Sequence, residues 1–391
     1  MSLSGTPGAL SKPIYFMRRS LLLAIATFMF IACARTPKEL IADVGYTPTP
    51  NDVSIVYTDA LNLTITGKLM TDTPNPFHRV DTVEFKGFTV AENRQVRMSS
   101  GLAVAFKTNS GVITVRPKYG YYQKRSDNNT ISAWGYNLYI KQDDEWFYAS
   151  SVTSSEANLD KELTIIKNMD SEEKECLLYL PLFAELQSLE IGVEEGSEIE
   201  AIPNPFRYRI GVFGSSFTHG AGTSRSGMAY PAQLSRMTGL QFLSLGCSGN
   251  CKMQPYFADV LCAADVDAFV FDCFSNPTVA EMEKRLFPFI EKLQTAHPGV
   301  PLIFQRTIYR EGRNFSHERA DAEEDKIAVS DSLMAIACEK YPDVYYIYPD
   351  ATDQKHETSV DGIHPGDYGY TLWAESVRKP ILKILKKYGI R

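Results

Sequence analysis

The chain has 391 residues, 44% of them hydrophobic and 22% charged, with 40 Lys and Arg against 47 Asp and Glu for a net charge of −7. At roughly 150 residues per domain this length suggests two to three domains, and the composition excludes bulk disorder and fibrous repeats. A mildly acidic chain lacks the basic field of a nucleic-acid binder, and seven cysteines are too sparse for a disulfide-stapled mini-fold. Outside the N-terminus no stretch of about 20 apolar residues is available for a multispan membrane protein.

Met17, Arg18 and Arg19 precede an apolar run over 20–32, and Cys33 follows. A basic start, a short apolar stretch and a small residue before the cut read as a secretory signal, too short to span a bilayer comfortably. Phe30-Ile31-Ala32-Cys33 resembles a bacterial lipobox, whose cysteine is lipidated after cleavage; Phe30 stands where such boxes more often carry Leu, so plain secretion is the alternative. The expectation is that 1–32 is removed, 1–16 being a misplaced start upstream of Met17. Cys33 then carries lipid and 33–52 is a Pro/Thr-rich tether, which places the protein outside the cytoplasm, anchored to a bacterial envelope membrane or secreted. Cys176, Cys247, Cys251, Cys262, Cys273 and Cys338 remain. Cys247 and Cys251 can pair if the turn between them is tight; the simplest reading of all six is small buried hydrophobes.

Residues 53–202 read as short strands separated by turns. Runs rich in strand formers occur at 61–69, 102–106, 112–115, 138–140, 146–149, 162–166, 176–180 and 189–193, the first with period-two alternation. No helix of convincing length is expected among them, and the set predicts a jelly-roll-like β-sandwich. The aromatics Tyr119, Tyr121, Tyr122 and Trp134 near its loops are open to sugar stacking, with core packing the simpler use.

At Ile202-Pro203-Asn204-Pro205 the pattern changes, and the two prolines suggest a linker. From 206 to 391, strands at 208–213, 242–245, 268–272, 302–305 and 344–348 alternate with helices, clearest at 279–295, 320–340 and 370–387. Pro380 is expected to kink or interrupt the last helix. Such alternation predicts a three-layer α/β domain with a parallel five-stranded sheet.

Ligands of open parallel sheets bind at the carboxyl ends of the strands. After the first strand comes Gly214-Ser215-Ser216, after the second Gly246-Cys247-Ser248-Gly249, after the third Ser275-Asn276-Pro277, and after the fifth Asp361-Gly362-Ile363-His364-Pro365. A hydroxyl, a Gly-rich turn, an amide and a carboxylate–imidazole pair thus converge on one edge, the parts needed for nucleophilic acyl transfer. His219 lies on the turn after Ser216 as a candidate pocket residue. Arg306, Arg310, Glu311 and Arg313 follow the fourth strand and suit either polar substrate groups or surface ion pairs. No histidine or carboxylate cluster has metal-ligand spacing, so neither metal nor cofactor is expected.

These blocks resemble the SGNH, or GDSL-type, hydrolase superfamily over about 206–390. The resemblance implies a flavodoxin-like sheet, Ser216 as nucleophile, His364 and Asp361 completing a triad, and Ser216, Gly249 and Asn276 forming an oxyanion hole. Ser215 departs from the family's Gly-Asp-Ser. The preceding half is similar to the N-terminal domain of bacterial two-domain members, whose Gly-x-Asp-Leu-Tyr motif reads Gly135-Tyr136-Asn137-Leu138-Tyr139 here. The activity implied is a serine-dependent carboxylic-ester hydrolase that deacylates, and more narrowly deacetylates, carbohydrate esters. A lipase, lysophospholipase or thioesterase with the same triad, or a non-catalytic glycan-binding lipoprotein, are the alternatives. The partners expected are an acylated carbohydrate or other small ester and, through Cys33, a membrane.

Overall fold

Period-two alternation builds the N-terminal half of the computed structural model, which describes residue 40 and residues 48–391. The signal segment, Cys33 and most of the tether lie outside the described residues. The strands are β1 (Ile55–Asp59), β2 (Thr64–Thr66), β3 (Ala103–Thr108), β4 (Ile113–Tyr122), β5 (Tyr136–Gln142), β6 (Glu145–Val152), β7 (Leu163–Ile166), β8 (Lys174–Tyr179), β9 (Ala184–Glu194) and β10 (Ile199–Ala201). One antiparallel sheet has the order β1-β9-β4-β7, the other β10-β3-β8-β5-β6 with β2 also on β3. Inward side chains of both, among them Val104, Phe106, Ile113, Val115, Leu138 and Ile191, form the sandwich core. Tyr119 and Trp134 belong to that core, with the Tyr119 hydroxyl donating to the Trp134 carbonyl.

Two sequence expectations fail here. The alternating 61–69 stretch is mostly not strand. Asp59 accepts from the Leu61 N–H at 2.9 Å and caps a 3-10 turn at Ala60–Asn62, so only Thr64–Thr66 enters the ladder. Two helices also interrupt the strands, α1 (Val90–Arg97) and α2 (Thr130–Trp134). Helix α1 opens with a capping box between Thr89 and Glu92 and buries Glu92, Gln95 and Val96, a face too polar to show as an apolar stripe.

The second half contains β11 (Arg207–Gly214), α3 (Ser216–His219), α4 (Tyr230–Thr238), β12 (Leu240–Gly246), α5 (Pro255–Cys262), β13 (Ala268–Asp272) and α6 (Val279–Ala296). It continues with β14 (Leu302–Gln305), α7 (His317–Lys340), β15 (Val344–Ile347) and α8 (Asp367–Leu385). The parallel sheet has the order β12-β11-β13-β14-β15, the flavodoxin-like arrangement with its switch point beside β11. Both faces are covered, which is why the strands read as continuous apolar runs. Phe213, Phe269, Phe271 and Phe304 pack under α5, α6 and α7, while Ile210, Val212, Val270 and Ile303 pack under α4 and α8 with Tyr230 and Trp373. Each such buried side chain contributes about 1.5–3 kcal/mol. Pro380 does not interrupt α8, which runs through it to Leu385. Among the described residues no helix is long and apolar enough to cross a membrane.

The prolyl connection is pinned rather than free. Thr64 donates to the Ile202 carbonyl, and Asn204 accepts from the Thr66 hydroxyl at 3.1 Å and the Phe206 N–H at 3.0 Å. The two halves also share a buried cation. Arg79 donates to the Gln95 and Met98 carbonyls at 2.5 and 2.9 Å, at the C-terminal end of α1, and to Ser244 of β12 at 3.2 Å. Burial pushes its guanidinium down to about 10, still charged at neutral pH. At the variant motif, the Asn137 Oδ1 accepts the Gly227 N–H at 3.0 Å and its Nδ2 donates to Ser151 Oγ at 3.0 Å. An aspartate could keep both of these bonds, accepting from the Ser151 hydroxyl, but it would turn a carboxylate oxygen toward the Ser150 carbonyl, to which the Asn137 Nδ2 donates at 3.4 Å. A Cβ at Gly227 would sit 2.5 Å from Asn137 Oδ1, so the approach of the two halves requires glycine there.

Candidate active site

The serine turn follows from the end of β11. Ser215 caps α3, its hydroxyl accepting from the Phe217 N–H at 3.1 Å, and it donates both its hydroxyl and its N–H to Asp272 Oδ2, at 2.8 and 3.1 Å. Asp272, at the end of neighbouring β13, is therefore the carboxylate that holds the turn in a chain with Ser at position 215. It accepts a third bond from Thr218 Oγ1 at 3.0 Å. That leaves Thr218 to accept from the Tyr230 hydroxyl at 2.9 Å, Tyr230 from Gln305 Nε2 at 3.2 Å, and Gln305 Oε1 from the Trp373 N–H at 2.8 Å. All donors in this buried chain point toward Asp272.

Burial lifts the Asp272 carboxyl to about 6, against the pull of those hydrogen bonds. Its charge therefore costs folding stability, a cost absent below about 3.8 and complete above about 6. Once protonated, it gains an O–H where Ser215 and Thr218 need an acceptor. The acid limb of kcat/KM is expected to steepen between about pH 6 and 5 toward two protons, about 100-fold per pH unit. Asp272→Asn should show a lower plateau and a one-proton limb, and a one-proton limb in the unmodified protein would disprove the coupling.

Ser216 Oγ lies 2.9 Å from His364 Nε2, although the two residues are 148 positions apart. His364 Nδ1 lies 2.8 Å from Asp361 Oδ2, and Asp361 Oδ1 accepts the N–H groups of Ile363 and His364 at 2.9 and 2.8 Å. Burial opposes the charge on Asp361, but these hydrogen bonds outweigh it and hold its carboxyl below the usual range. With Asp361 as acceptor, Nδ1 carries the proton and Nε2 faces the serine as a base.

Glu311 fastens this loop. Its carboxylate accepts from the N–H of Ser359 at 2.8 Å and of Thr358 at 2.9 Å, and from the hydroxyls of Ser359, Thr352 and Thr358. Burial acts against its charge, yet these donors hold it at about 2. A depressed acid stabilises the fold above its unfolded value of 4.5, and the contribution is lost as pH falls through about 2. Glu311→Gln is expected to melt lower at pH 7, to converge with the unmodified protein as pH approaches 2, and to lose up to about 100-fold in kcat through misplacement of His364. Equal melting temperatures at pH 7 would refute the latch. Of the four residues after β14, then, Glu311 is structural, Arg306 pairs with Asp331, Arg313 pairs with Glu324, and Arg310 lines the cleft.

Two residues from the other strand ends line the same cleft as Ser216. Gly249 sits in a turn at φ +74°, a conformation that other side chains resist. Asn276 accepts the Cys251 N–H at 3.1 Å, which identifies the facing atom as Oδ1 and leaves Nδ2 for the cleft. The Ser216 N–H, at the start of α3, has no intrahelical acceptor. The cleft of about 350 Å³ is lined by Ser216, Gly249, Asn276 and His364 with Phe217, Ser248, Ser275, Ile363, Arg125 and Arg310. Ser216, Gly249, Asn276 and His364 therefore share one cleft, with Asp361 behind His364.

His219 is not a cleft residue. It is fully buried, with Nε2 2.8 Å from the Leu182 carbonyl and its ring stacked on Phe183 at 4.3 Å. The carbonyl can only accept, so Nδ1 is left to accept from the Ser248 hydroxyl at 3.3 Å. Cys247 and Cys251 are buried free thiols, and Cys251 donates to the Asp272 carbonyl at 3.6 Å.

What sequence reasoning missed is the contribution of the sandwich. Gln95 of α1 donates to the Ser248 carbonyl at 2.9 Å and accepts from Asn250 at 2.9 Å, while Glu92 accepts from Gln254 and Tyr256, both at 2.9 Å. The loop after β4 brings Asn128 against Gly220 and Gly222, and Asp127 Oδ2 to 3.4 Å from His364 Nδ1. Arg125 grips both oxygens of Asp127, Nε at 2.7 Å from Oδ1 and Nη2 on Oδ2. Asp127, Asp361 and His364 place ligand atoms within 4.8 Å of one another, a metal-like grouping not foreseen from spacing. Arg125 and the Ile363 and His364 N–H groups already engage those carboxylates, so the mutual hydrogen bonding accounts for the cluster. The one available signal was the polar stretch Arg125-Ser126-Asp127-Asn128-Asn129 between a strand and a helix.

Residues 207–383 match the model of the GDSL-like lipase/acylhydrolase family, and residues 55–199 match that of the N-terminus of SGNH-hydrolase-type esterases, known as GxDLY. A solved structure described as a GDSL-like lipase, from Bacteroides ovatus, is 37% identical with a TM-score of 0.81, covering 85% of this chain and 98% of its own. A salicylyl-acyltransferase from a tetracycline biosynthetic pathway is 19% identical with a TM-score of 0.62, covering 88% and 100%. An acetyl xylan esterase from the rumen bacterium Butyrivibrio proteoclasticus is 10% identical with a TM-score of 0.53, covering 85% and 99%; these two likenesses concern the fold. None of the curated proteins matches this chain.

Proposed function

Because this chain belongs to the GDSL-like (SGNH) hydrolase family and is an ester hydrolase, we propose that it removes small acyl groups, acetyl above all, from carbohydrate esters. The observation that carries the reading is the unbroken line Ser216 Oγ–His364–Asp361, at 2.9 and 2.8 Å, opposite Gly249 and Asn276. His364 takes the Ser216 proton as Oγ attacks the ester carbonyl, and Asp361 holds the imidazolium. The N–H groups of Ser216 and Gly249 and the Asn276 amide receive the oxyanion. His364 then protonates the departing sugar oxygen, and water enters by the same route to release the acid.

A small acyl group suits the cleft, whose apolar lining is limited to Phe217 and Ile363 among serines, Asn276 and two arginines. Likeness of fold to carbohydrate esterases supports the sugar part. Secretion with a lipid on Cys33 is part of the same proposal and rests on the N-terminal sequence. The test is mass spectrometry of products released from acetylated polysaccharides by the native protein and by Ser216→Ala, alongside a chain-length series of p-nitrophenyl esters. Acetate release by the native protein alone is expected. A maximum at long acyl chains would favour a lipase, and inertness to a fluorophosphonate probe would favour a non-catalytic lipoprotein.

A further inference from the structure

We propose that Asp127, delivered by the sandwich half, is a second positioning carboxylate for His364, so that the imidazolium is held from both halves of the molecule. This rests on the Ser216–His364–Asp361 reading and extends it. Asp361 makes the shorter contact with Nδ1, 2.8 Å against 3.4 Å, but its side chain is 37% exposed where that of Asp127 is 7% exposed. Water screens the first charge more than the second, so the longer contact loses less of its strength.

Asp127 is also unable to swing away. Arg125 grips both its oxygens and lies 4.7 Å over the Phe183 ring, which stacks in turn on His219. Asn128 ties the same loop to the Gly220 carbonyl and the Gly222 N–H at 3.2 Å each, just beyond α3, which carries Ser216. A carboxylate serving only as the arginine's partner would not need to face the imidazole; here the Oδ2 that accepts from Arg125 Nη2 is also the atom directed at Nδ1.

The groups facing His364 are therefore Asp361 on its own loop, Asp127 and Arg125 from the sandwich, Ser216, the Phe217 ring and, across the cleft, Arg310. When His364 gains its proton, Asp361 accepts the Nδ1–H and Asp127 adds a second negative charge beside it. If Asp361 is neutralised, Asp127 is placed to accept that N–H itself. The cost is a buried ion pair between Arg125 and Asp127, which fixes the carboxylate at the expense of part of its field.

The test is a double-mutant cycle on the full chain with p-nitrophenyl acetate as probe. Asp361→Asn is expected to lose about 10–100-fold in kcat, where a sole orienting carboxylate would lose about 10⁴-fold. Asp127→Asn should lose only a few-fold, with the acid limb of kcat/KM moved to lower pH and restored by Asp127→Glu. The double variant should fall by about 10⁴-fold, more than the product of the two single losses. In Asp361→Asn a downfield Nδ1 proton resonance from His364 should persist, a readout that needs no change at Asp127. Loss of that resonance, an unmoved acid limb in Asp127→Asn, or a double variant no worse than Asp361→Asn would overturn the proposal. Full turnover by Ser216→Ala would instead overturn the triad on which it rests.

Discussion

Replacing Ser216 with alanine is expected to lower kcat by about 10³-fold or more while leaving the melting temperature close to that of the unmodified protein. The hydroxyl's bond in the resting site is to His364, so its loss removes the attacking atom without opening the turn. That turn is held by Ser215 and Thr218 on Asp272, none of which the substitution touches. The residual rate comes from the oxyanion donors acting on water, and KM for a small ester should change little. Steady-state kinetics with p-nitrophenyl acetate, with active protein counted by circular dichroism and melting, decides the matter. Near-native turnover would move the nucleophile elsewhere.

On the proposed mechanism, Asn276→Ala is expected to cost about 100- to 1,000-fold in kcat with a small change in KM, because its Nδ2 would meet charge that exists only in the transition state. Part of the effect could arise indirectly, since Asn276 Oδ1 also accepts the Cys251 N–H beside Gly249. Asn276→Asp separates the two contributions. It keeps the acceptor and replaces the donor with a negative charge, so it should be at least as damaging to kcat as alanine while retaining the melting temperature better. If Asn276→Asp recovers activity, the donor role is wrong and the residue merely shapes the turn.

The geometry also changes how the sandwich half is understood. Of the four aromatics open to sugar stacking, Tyr119 and Trp134 are buried in its core, while Tyr121 and Tyr122 pack against that core with Arg94 over the Tyr121 ring. What it presents to the other half is polar and specific: Gln95 on the Ser248 carbonyl, Asn137 on Gly227, Asn128 on Gly222, and Asp127 toward His364. These contacts brace the turn at Gly249 and bring the sandwich against the loop that carries His364.

Much was legible in the chain because it depends on local rules. Apolar runs of four to eight residues alternating with helical stretches specify a parallel sheet covered on both faces, and the sheet's own chemistry puts residues 216, 249, 276 and 364 at one edge. Helix α1 was missed because its buried face is Glu92 and Gln95, which offset burial by bonding to segments more than 150 positions away, Gln95 to Ser248 and Asn250 and Glu92 to Gln254 and Tyr256. The 61–69 stretch was misread because one side-chain acceptor, Asp59, favours a turn over the ladder that alternation suggested. Asp272 and Glu311 were equally silent. Each is an ordinary carboxylate in sequence, and each acquires its role from donors brought by other elements: Ser215 and Thr218 for the first, Thr352, Thr358 and Ser359 for the second.

By itself, then, the sequence determined which residues stand at the strand ends, because backbone periodicity and crossover handedness are local properties of the chain. Only the tertiary structure decided which carboxylates hold the serine turn, lock the histidine loop and approach His364 from the sandwich. Those choices rest on hydrogen bonds and desolvation between segments distant in sequence, and no local pattern encodes them.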